Sequence, residues 1–171
     1  MEKVAIVTGS SSGIGYETTL ALARDGFYTF ATVRSAKKAQ KLLEVTKKEK
    51  LNIEIIELDM DDEKSIKSAF EKIFSKKQRI DVLVNNAGWA LFGSLEDVPI
   101  KDFRLQFETN FFGIISIIQR VAPIMRKQGS GIIVNISSVA GRIGFPGSSA
   151  YISSKFALEG LSESLRYELG Q

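Results

Sequence analysis

Tyr151 and Lys155 are the two residues of this sequence best suited to move a proton. They stand four residues apart at the start of an apolar-periodic segment, and in a helix this spacing places both side chains on one face. A phenol ionises with a pKa of about 10, and a neighbouring ammonium favours the charged form. The pair alone is weak evidence, since Tyr and Lys at this spacing form ordinary surface pairs in many helices.

A glycine-rich segment near the N-terminus adds a second feature. Val4 to Val7 predicts a buried strand, and Thr8-Gly9-Ser10-Ser11-Ser12-Gly13-Ile14-Gly15 follows directly. Gly9 permits a tight turn, Gly13 lets the backbone approach a pyrophosphate, and Gly15 lets the next helix pack closely. A helix N-terminus favours anions, although similar turns also occur without a ligand. The candidate phosphate-binding residues are Thr8, Gly9, Ser11, Ser12, Gly13, Ile14 and Gly15.

The residues after the second and third predicted strands bear on the choice of cofactor. An acid at the end of the second strand normally binds the adenosine ribose hydroxyls, and Val33-Arg34 stands there instead. An Arg can pair with a 2′-phosphate as a bidentate fork, so NADP(H) is expected in preference to NAD(H); the alternative is a solvent-facing Arg34. Asp59 and Met60 are further candidate cofactor-binding residues, with Asp59 able to accept from the adenine amine or to cap the next helix.

Strands and helices alternate along the chain and supply the scaffold for these features. This rhythm predicts a parallel sheet, and right-handed crossovers place helices on both of its faces. The predicted strands are Lys3 to Thr8, Tyr28 to Val33, Ile53 to Leu58, Val82 to Asn85 and Gly131 to Ser137. The predicted helices are Ile14 to Asp25, Ala36 to Lys50, Asp62 to Gln78, Ile100 to Lys127 and Ala150 to Leu169.

Composition limits the class of protein. The 171 residues, 44% hydrophobic and 25% charged, fit one domain spanning 1–171. The absence of Cys and His excludes thiol nucleophiles and thiolate metal sites. The net charge is +3, and most lysines alternate with Glu on predicted helix faces, so no nucleic-acid partner is expected. Phe111 to Ile118 is too short to span a bilayer, and a cytoplasmic protein without a membrane partner is expected.

Motifs in a fixed order along the chain resemble those of the short-chain dehydrogenase/reductase family. They are Thr8 to Gly15, Asp59, Asn85-Asn86-Ala87-Gly88, Asn110, Ser138, Tyr151 and Lys155. The resemblance implies an α/β fold with a Rossmann-type doubly wound parallel sheet and NAD(P)-dependent chemistry between carbonyls and alcohols. It also implies a homodimer or homotetramer formed through the two long late helices. Asn86, Ala87 and Gly88 would pass beside the adenosine ribose, while Asn85 ties the central strands.

The same resemblance implies a catalytic set of Asn110, Ser138, Tyr151 and Lys155. Ser138 would hydrogen-bond the substrate oxygen, and Asn110 would hold a water near the lysine. Tyr151 would donate its proton to a carbonyl oxygen while the nicotinamide passes a hydride to the carbon. Both Tyr151 and Lys155 would also contact the cofactor, with the ammonium on the nicotinamide ribose.

Two loops suggest what the substrate is like. Apolar walls, or simply local packing, are expected from Trp89, Leu91 and Phe92 in one loop and from Ile143, Phe145 and Pro146 in the other. The substrate is therefore expected to be a partly apolar carbonyl compound or alcohol.

The length of the chain departs from the family pattern. Family members are considerably longer, so the later strands and the substrate lid are expected to be lacking and the fifth strand to be an exposed edge. This keeps open a competing hypothesis, a non-catalytic dinucleotide-binding module or sensor. A sugar-nucleotide epimerase is disfavoured because its glycine loop usually has a shorter first interval.

Overall fold

The protein forms one five-stranded sheet in which every strand pairs in parallel with its neighbours. It is described here by a computed structural model covering residues 2–170. The strands lie in the order β3-β2-β1-β4-β5, which confirms the predicted α/β parallel sheet. Their bounds are β1 Val4–Val7, β2 Tyr28–Val33, β3 Ile53–Glu57, β4 Val82–Asn85 and β5 Ile132–Asn135.

The strand order reverses between β1 and β4. From β1 the chain first builds outward to β2 and β3, then returns to add β4 and β5 on the other side. Val7 pairs with Ala31 and with Val84, so the carboxyl ends of the three central strands lie level. Ligands of open parallel sheets bind outside the carboxyl ends of the strands at such a reversal.

The helices lie where the sequence predicts them, but two of the five predicted helices are divided in the structure. A 3₁₀ turn at Ala36–Ala39 precedes α2, and a π turn at Glu108–Phe112 divides the predicted helix Ile100 to Lys127 into α4 and α5. Asp62 caps α3 by accepting from the N–H of Lys64. The helices are α1 Gly13–Arg24, α2 Gln40–Glu49, α3 Glu63–Lys76, α4 Ile100–Phe107, α5 Gly113–Gln128 and α6 Ser149–Leu169.

Apolar layers cover both faces of the sheet. Phe30 of β2 belongs to the layer built with α3, α5 and α6, whereas its neighbour Ala31 belongs to the layer built with α1 and α2. Successive strand residues point to opposite faces, so both must be apolar here. Helices on both faces confirm the doubly wound arrangement predicted from the sequence.

The outer edge of β5 is open. Within residues 2–170 this strand pairs with β4 alone, and the side chain of Ile132 is exposed. The exposed edge agrees with the expectation drawn from the length of the chain. No helix in the described part of the chain is long and apolar enough to cross a membrane.

Candidate active site

Thr8 and Asn86 fasten the glycine loop to the loop after β4. Buried Thr8 Oγ1 accepts hydrogen bonds from the backbone N–H groups of Asn86 (2.9 Å) and Ala87 (3.0 Å). In return, Asn86 Nδ2 donates to the carbonyl oxygens of Thr8 (2.9 Å) and Gly9 (3.2 Å). These bonds bring together residues that lie 77 to 79 positions apart in the sequence.

The three motif glycines have two different physical roles. Gly9 has φ +70°, and a Cβ there would lie 2.8 Å from Ala87 Cα. A Cβ on Gly15 would collide with Asn86 Nδ2 and with the carbonyl oxygen of Gly9. Gly13 has φ +57°, but a Cβ there would meet nothing within 4 Å. Gly9 and Gly15 are therefore required for packing, whereas Gly13 keeps one face of the loop open.

A cavity of about 660 Å³ lies at the reversal of strand order, beside the first turn of α1. Its size lies within the range of small-molecule sites. Ser12 precedes α1 but forms no side-chain capping bond within the described chain, which leaves N–H groups of the first turn for an anion. The cavity is lined by Gly9, Ser11, Ser12, Ile14, Thr32, Arg34, Lys38, Leu58, Met60, Asp61, Asn86, Ala87, Gly88, Trp89, Leu105 and Thr109.

One end of the cavity carries both signs of charge. The half-exposed Arg34 places Nε 3.6 Å from Asp59 Oδ1 and Nη2 3.7 Å from Asp61 Oδ2. Asp59 Oδ1 also accepts from the backbone N–H of Asp61 at 3.2 Å. Asp61 and Lys38 also line the cavity, and neither was among the candidate residues predicted from the sequence. Lys38 lies in the 3₁₀ turn shortly after Arg34, and this nearness in the sequence was the available signal.

Tyr151 and Lys155 lie in the first two turns of α6. The Lys155 side chain is buried, and its Nζ donates to the carbonyl oxygen of Ile136 at 2.8 Å. Nζ lies 5.8 Å from the centroid of the Tyr151 ring. Burial lowers the pKa of Lys155, because an apolar environment disfavours the ammonium. The bond to Ile136, just past β5, ties this pair to the carboxyl edge of the sheet.

Ser138 begins a short 3₁₀ turn, Val139–Gly141, that packs against α6. Ser138 Oγ accepts from the N–H of Ala140 at 3.1 Å, which leaves the hydroxyl hydrogen free to donate elsewhere. A Cβ on Gly141 would lie 2.9 Å from Glu159 Cγ and 3.2 Å from the Lys155 carbonyl oxygen. This close approach holds the turn bearing Ser138 against the helix that bears Lys155.

Asn110 connects the segment after β4 with α6. The fully buried side chain accepts from the N–H of Trp89 (3.2 Å) and donates to the Trp89 carbonyl oxygen (3.0 Å). Its Nδ2 also donates to Ser154 Oγ (3.2 Å), which in turn donates to the Tyr151 carbonyl oxygen (2.7 Å). The structure thus brings Asn110 into contact with the helix of Tyr151. Its expected role of holding a water stays a prediction.

The two loops expected to form apolar walls are joined to each other. The N–H of Gly93 donates to the Gly147 carbonyl oxygen at 2.9 Å, and Gly93 forms an isolated parallel bridge with Ser148. Phe92 on one loop and Ile143 on the other are exposed. Apolar surface is therefore available on both loops ahead of Tyr151.

A glycine loop at the reversal of a parallel sheet, with a Tyr and Lys pair at the same carboxyl edge, defines a Rossmann-type nucleotide-binding protein. The chain belongs to the short-chain dehydrogenase family, which matches residues 3–171. It is 51% identical over 170 residues to YusZ of Bacillus subtilis, an uncharacterized oxidoreductase, covering 98% of this chain and 60% of that protein.

Solved structures of related proteins have the same fold. A short-chain dehydrogenase from Streptomyces avermitilis superposes with a TM-score of 0.94 at 36% identity, over 99% of this chain and 61% of that one. An F189W actinorhodin polyketide ketoreductase, solved with NADPH, gives a TM-score of 0.95 at 28% identity, over 99% and 66%. These matches confirm the family and the fold drawn from the sequence.

This chain matches only part of each relative, which limits what can be inferred from them. The chain spans about 60% of the length of the curated relatives it matches. The single domain and the roles of individual site residues therefore stay predictions.

Proposed function

We propose that the chain carries the cofactor-binding and proton-transfer parts of an NADP(H)-dependent oxidoreductase that interconverts a carbonyl compound and a secondary alcohol. One observation carries this proposal. A buried ammonium, Lys155, lies beside Tyr151 at the same carboxyl edge of the sheet as the glycine loop. Burying an ammonium group costs free energy, and groups whose pKa is perturbed by burial cluster at catalytic sites.

The residues around the cavity fit a nicotinamide dinucleotide. Gly13 opens onto free space beside the uncapped first turn of α1, which suits a diphosphate. At the other end, Arg34 and Lys38 supply positive charge for a 2′-phosphate. The NADPH in the actinorhodin ketoreductase structure supports the same choice. Asn86, Ala87 and Gly88 would contact the ribose side, and Met60 the adenine side.

The side chains at the edge of β5 would carry the proton chemistry. When bound, the nicotinamide supplies or accepts the hydride. Tyr151 donates its hydroxyl proton to the carbonyl oxygen, and Ser138 donates a hydrogen bond to that oxygen. The Lys155 ammonium stabilises the phenolate that remains. Opposite unit charges about 4 Å apart attract by about 4 kcal/mol at an effective dielectric of about 20, which is enough to favour the phenolate form.

Exposed apolar side chains bear on substrate and assembly. Phe92 and Ile143 favour a partly apolar carbonyl substrate. Phe112, at the start of α5, and Phe156, on α6, are also exposed. The family resemblance supports a homodimer or homotetramer formed through the late helices, and these two exposed rings provide apolar surface on them.

The test is to titrate the chain with NADPH and NADH, and then to follow oxidation of NADPH with a panel of aldehydes and diketones. We expect Tyr151→Phe to abolish turnover while the variant still binds NADPH, because the proton donor is removed but the glycine loop and Lys155 remain. Tyr167→Phe is the matched control, since this tyrosine lies exposed near the end of the same helix.

Each other outcome has a definite meaning. Turnover that survives in Tyr151→Phe would refute the role of the phenol. NADPH binding by the wild type without turnover of any carbonyl would favour a non-catalytic dinucleotide-binding module. If neither nucleotide binds, the proposal is wrong for this chain.

A further inference from the structure

All the hydrogen-bonding groups of Trp89 are paired with side chains on one face of α4 and the π turn that follows it. Its backbone N–H donates to Asn110 Oδ1 (3.2 Å), and its indole Nε1 donates to Thr109 Oγ1 (3.0 Å). Its carbonyl oxygen accepts from Gln106 Nε2 (2.8 Å) and from Asn110 Nδ2 (3.0 Å). Spacings of three and four residues place these side chains on one side of the helix.

Gln106 makes the part of this contact that no motif explains. Its side chain is 0% exposed. While Nε2 donates to the Trp89 carbonyl oxygen, Oε1 accepts from the N–H of Leu91 at 2.7 Å. One amide thus pairs the backbone on both sides of Ala90, much as a neighbouring strand would. Among side chains long enough, only an uncharged amide or acid can both donate and accept in this way.

The segment that Gln106 holds connects the cavity with the loop that precedes Tyr151. It begins at Trp89, which lines the cavity, and ends at Gly93. Gly93 is bonded to Gly147, four residues before Tyr151. Whatever fixes the start of this segment therefore also fixes the spacing between the cavity and the loop that leads into α6.

We infer that Gln106 is a positioning residue that holds Trp89 as one wall of the cofactor cavity and so aligns a bound nicotinamide dinucleotide with Tyr151. The role in alignment rests on the proposed function, whereas the placement of Trp89 can be measured without any nucleotide. Gln106 itself lies behind the wall and acts through the backbone of residues 89–91. Catalysis would then depend on a side chain that touches neither substrate nor cofactor.

Trp89 is the sole tryptophan of the chain, so intrinsic fluorescence reports on this wall directly. In Gln106→Leu, we expect the emission of Trp89 to shift to longer wavelength and acrylamide to quench it more strongly. The Kd for NADPH should rise about tenfold, because the Leu91 N–H loses its partner and the Trp89 carbonyl oxygen loses one of its two donors. NADPH-dependent turnover should fall by a larger factor, since both alignment and affinity suffer.

Gln128→Leu is the matched control. The Gln128 amide makes a similar pair of backbone bonds, accepting from the N–H of Ile80 (2.9 Å) and donating to its carbonyl oxygen (2.8 Å), and it also donates to the Ser130 carbonyl oxygen (3.1 Å). This pair lies at the opposite, amino end of β4. The control should lose comparable stability yet keep wild-type emission, quenching and NADPH affinity.

A second variant, Gln106→Glu, separates positioning from space filling. A protonated Glu can replace both amide bonds, whereas the carboxylate only accepts and would repel the Trp89 carbonyl. Burial raises the pKa of such an acid. Trp89 emission should therefore be wild-type at low pH and change as the acid ionises, and Gln128→Glu should show no such emission change.

The outcomes keep this inference distinct from the proposed function. Wild-type emission, quenching and NADPH affinity in folded Gln106→Leu would overturn it. If Gln106→Leu does not fold, emission of Gln106→Glu that is independent of pH overturns it. If the wild type binds no NADPH, the proposed function fails and the alignment role fails with it, while an altered emission in the variant would still establish the placement of Trp89.

Discussion

Gly13→Ala tests whether the open face of the glycine loop is a binding surface or merely a turn. Gly13 has φ +57° and Gly26, in the turn after α1, has φ +86°; a Cβ at either position meets nothing within 4 Å. A left-handed conformation costs an L-residue about 1–2 kcal/mol. Both Ala variants should therefore lose similar stability, visible as a fall in Tm of about 2–4 °C per kcal/mol.

NADPH affinity should separate the two variants. At Gly13 the added methyl enters the space beside Ser12 and Ile14, which both line the cavity. Crowding a diphosphate there by about 1.4 kcal/mol or more raises the Kd at least about tenfold. Gly26→Ala should bind like the wild type, with fluorescence titration measuring both. If Gly13→Ala binds NADPH as tightly as Gly26→Ala does, the phosphate does not lie on this face of the loop.

Two further predictions concern charge. Arg34→Ala should weaken NADPH binding about 10-fold or more and leave NADH binding unchanged, because a charge-assisted bond contributes about 1.5–3 kcal/mol. Lys37→Ala is the control. An equal loss of affinity for both nucleotides would exclude contact between Arg34 and the 2′-phosphate. Burial lowers the pKa of Lys155 from 10.5, so between the lowered value and 10.5 the unfolded chain binds the proton that the folded chain releases. The free energy of unfolding should therefore rise with pH in that window. Chemical denaturation of Lys155→Met should not show this rise. Identical pH profiles of the unfolding free energy for the variant and the wild type would contradict the prediction.

Features encoded by neighbouring residues were predictable from the sequence. The strand–glycine–helix pattern and the four-residue spacing of Tyr151 and Lys155 are short-range signals, and the structure places each in the expected element. The predicted bounds of β1, β3 and β5 were too long, because the apolar or β-branched pattern continues past the last residue of each strand.

The contacts that organise the site were not predictable, because they join distant residues. Thr8 bonds to Asn86 across 78 positions, and Thr109 bonds to Asp61 across 48. Asn110 and Gln106 are polar residues four positions apart, which places them on one face of a helix. Polarity on a core-facing stripe was therefore the usable clue.

The π turn coincides with a close contact to residues far away in the sequence. A Cβ on Gly113 would lie 2.5 Å from the carbonyl oxygen of Met60, so the helix packs directly against the backbone after β3. The turn of wider helix just before Gly113 carries Thr109 and Asn110 toward Trp89. Such turns often mark functional positions, and no periodicity of Ile100 to Lys127 distinguishes one from a continuous helix.

Some buried polar side-chain atoms in the described part of the chain lack hydrogen-bond partners. Three buried side-chain oxygens within residues 2–170 have no protein hydrogen-bond partner: Asn85 Oδ1, Ser137 Oγ and Ser149 Oγ. Asn85 is the last residue of β4, Ser137 follows β5, and Ser149 begins α6. Buried polar groups are normally paired, and departures concentrate where function opposes stability. Ser137→Ala should therefore raise the free energy of unfolding, which chemical denaturation would measure.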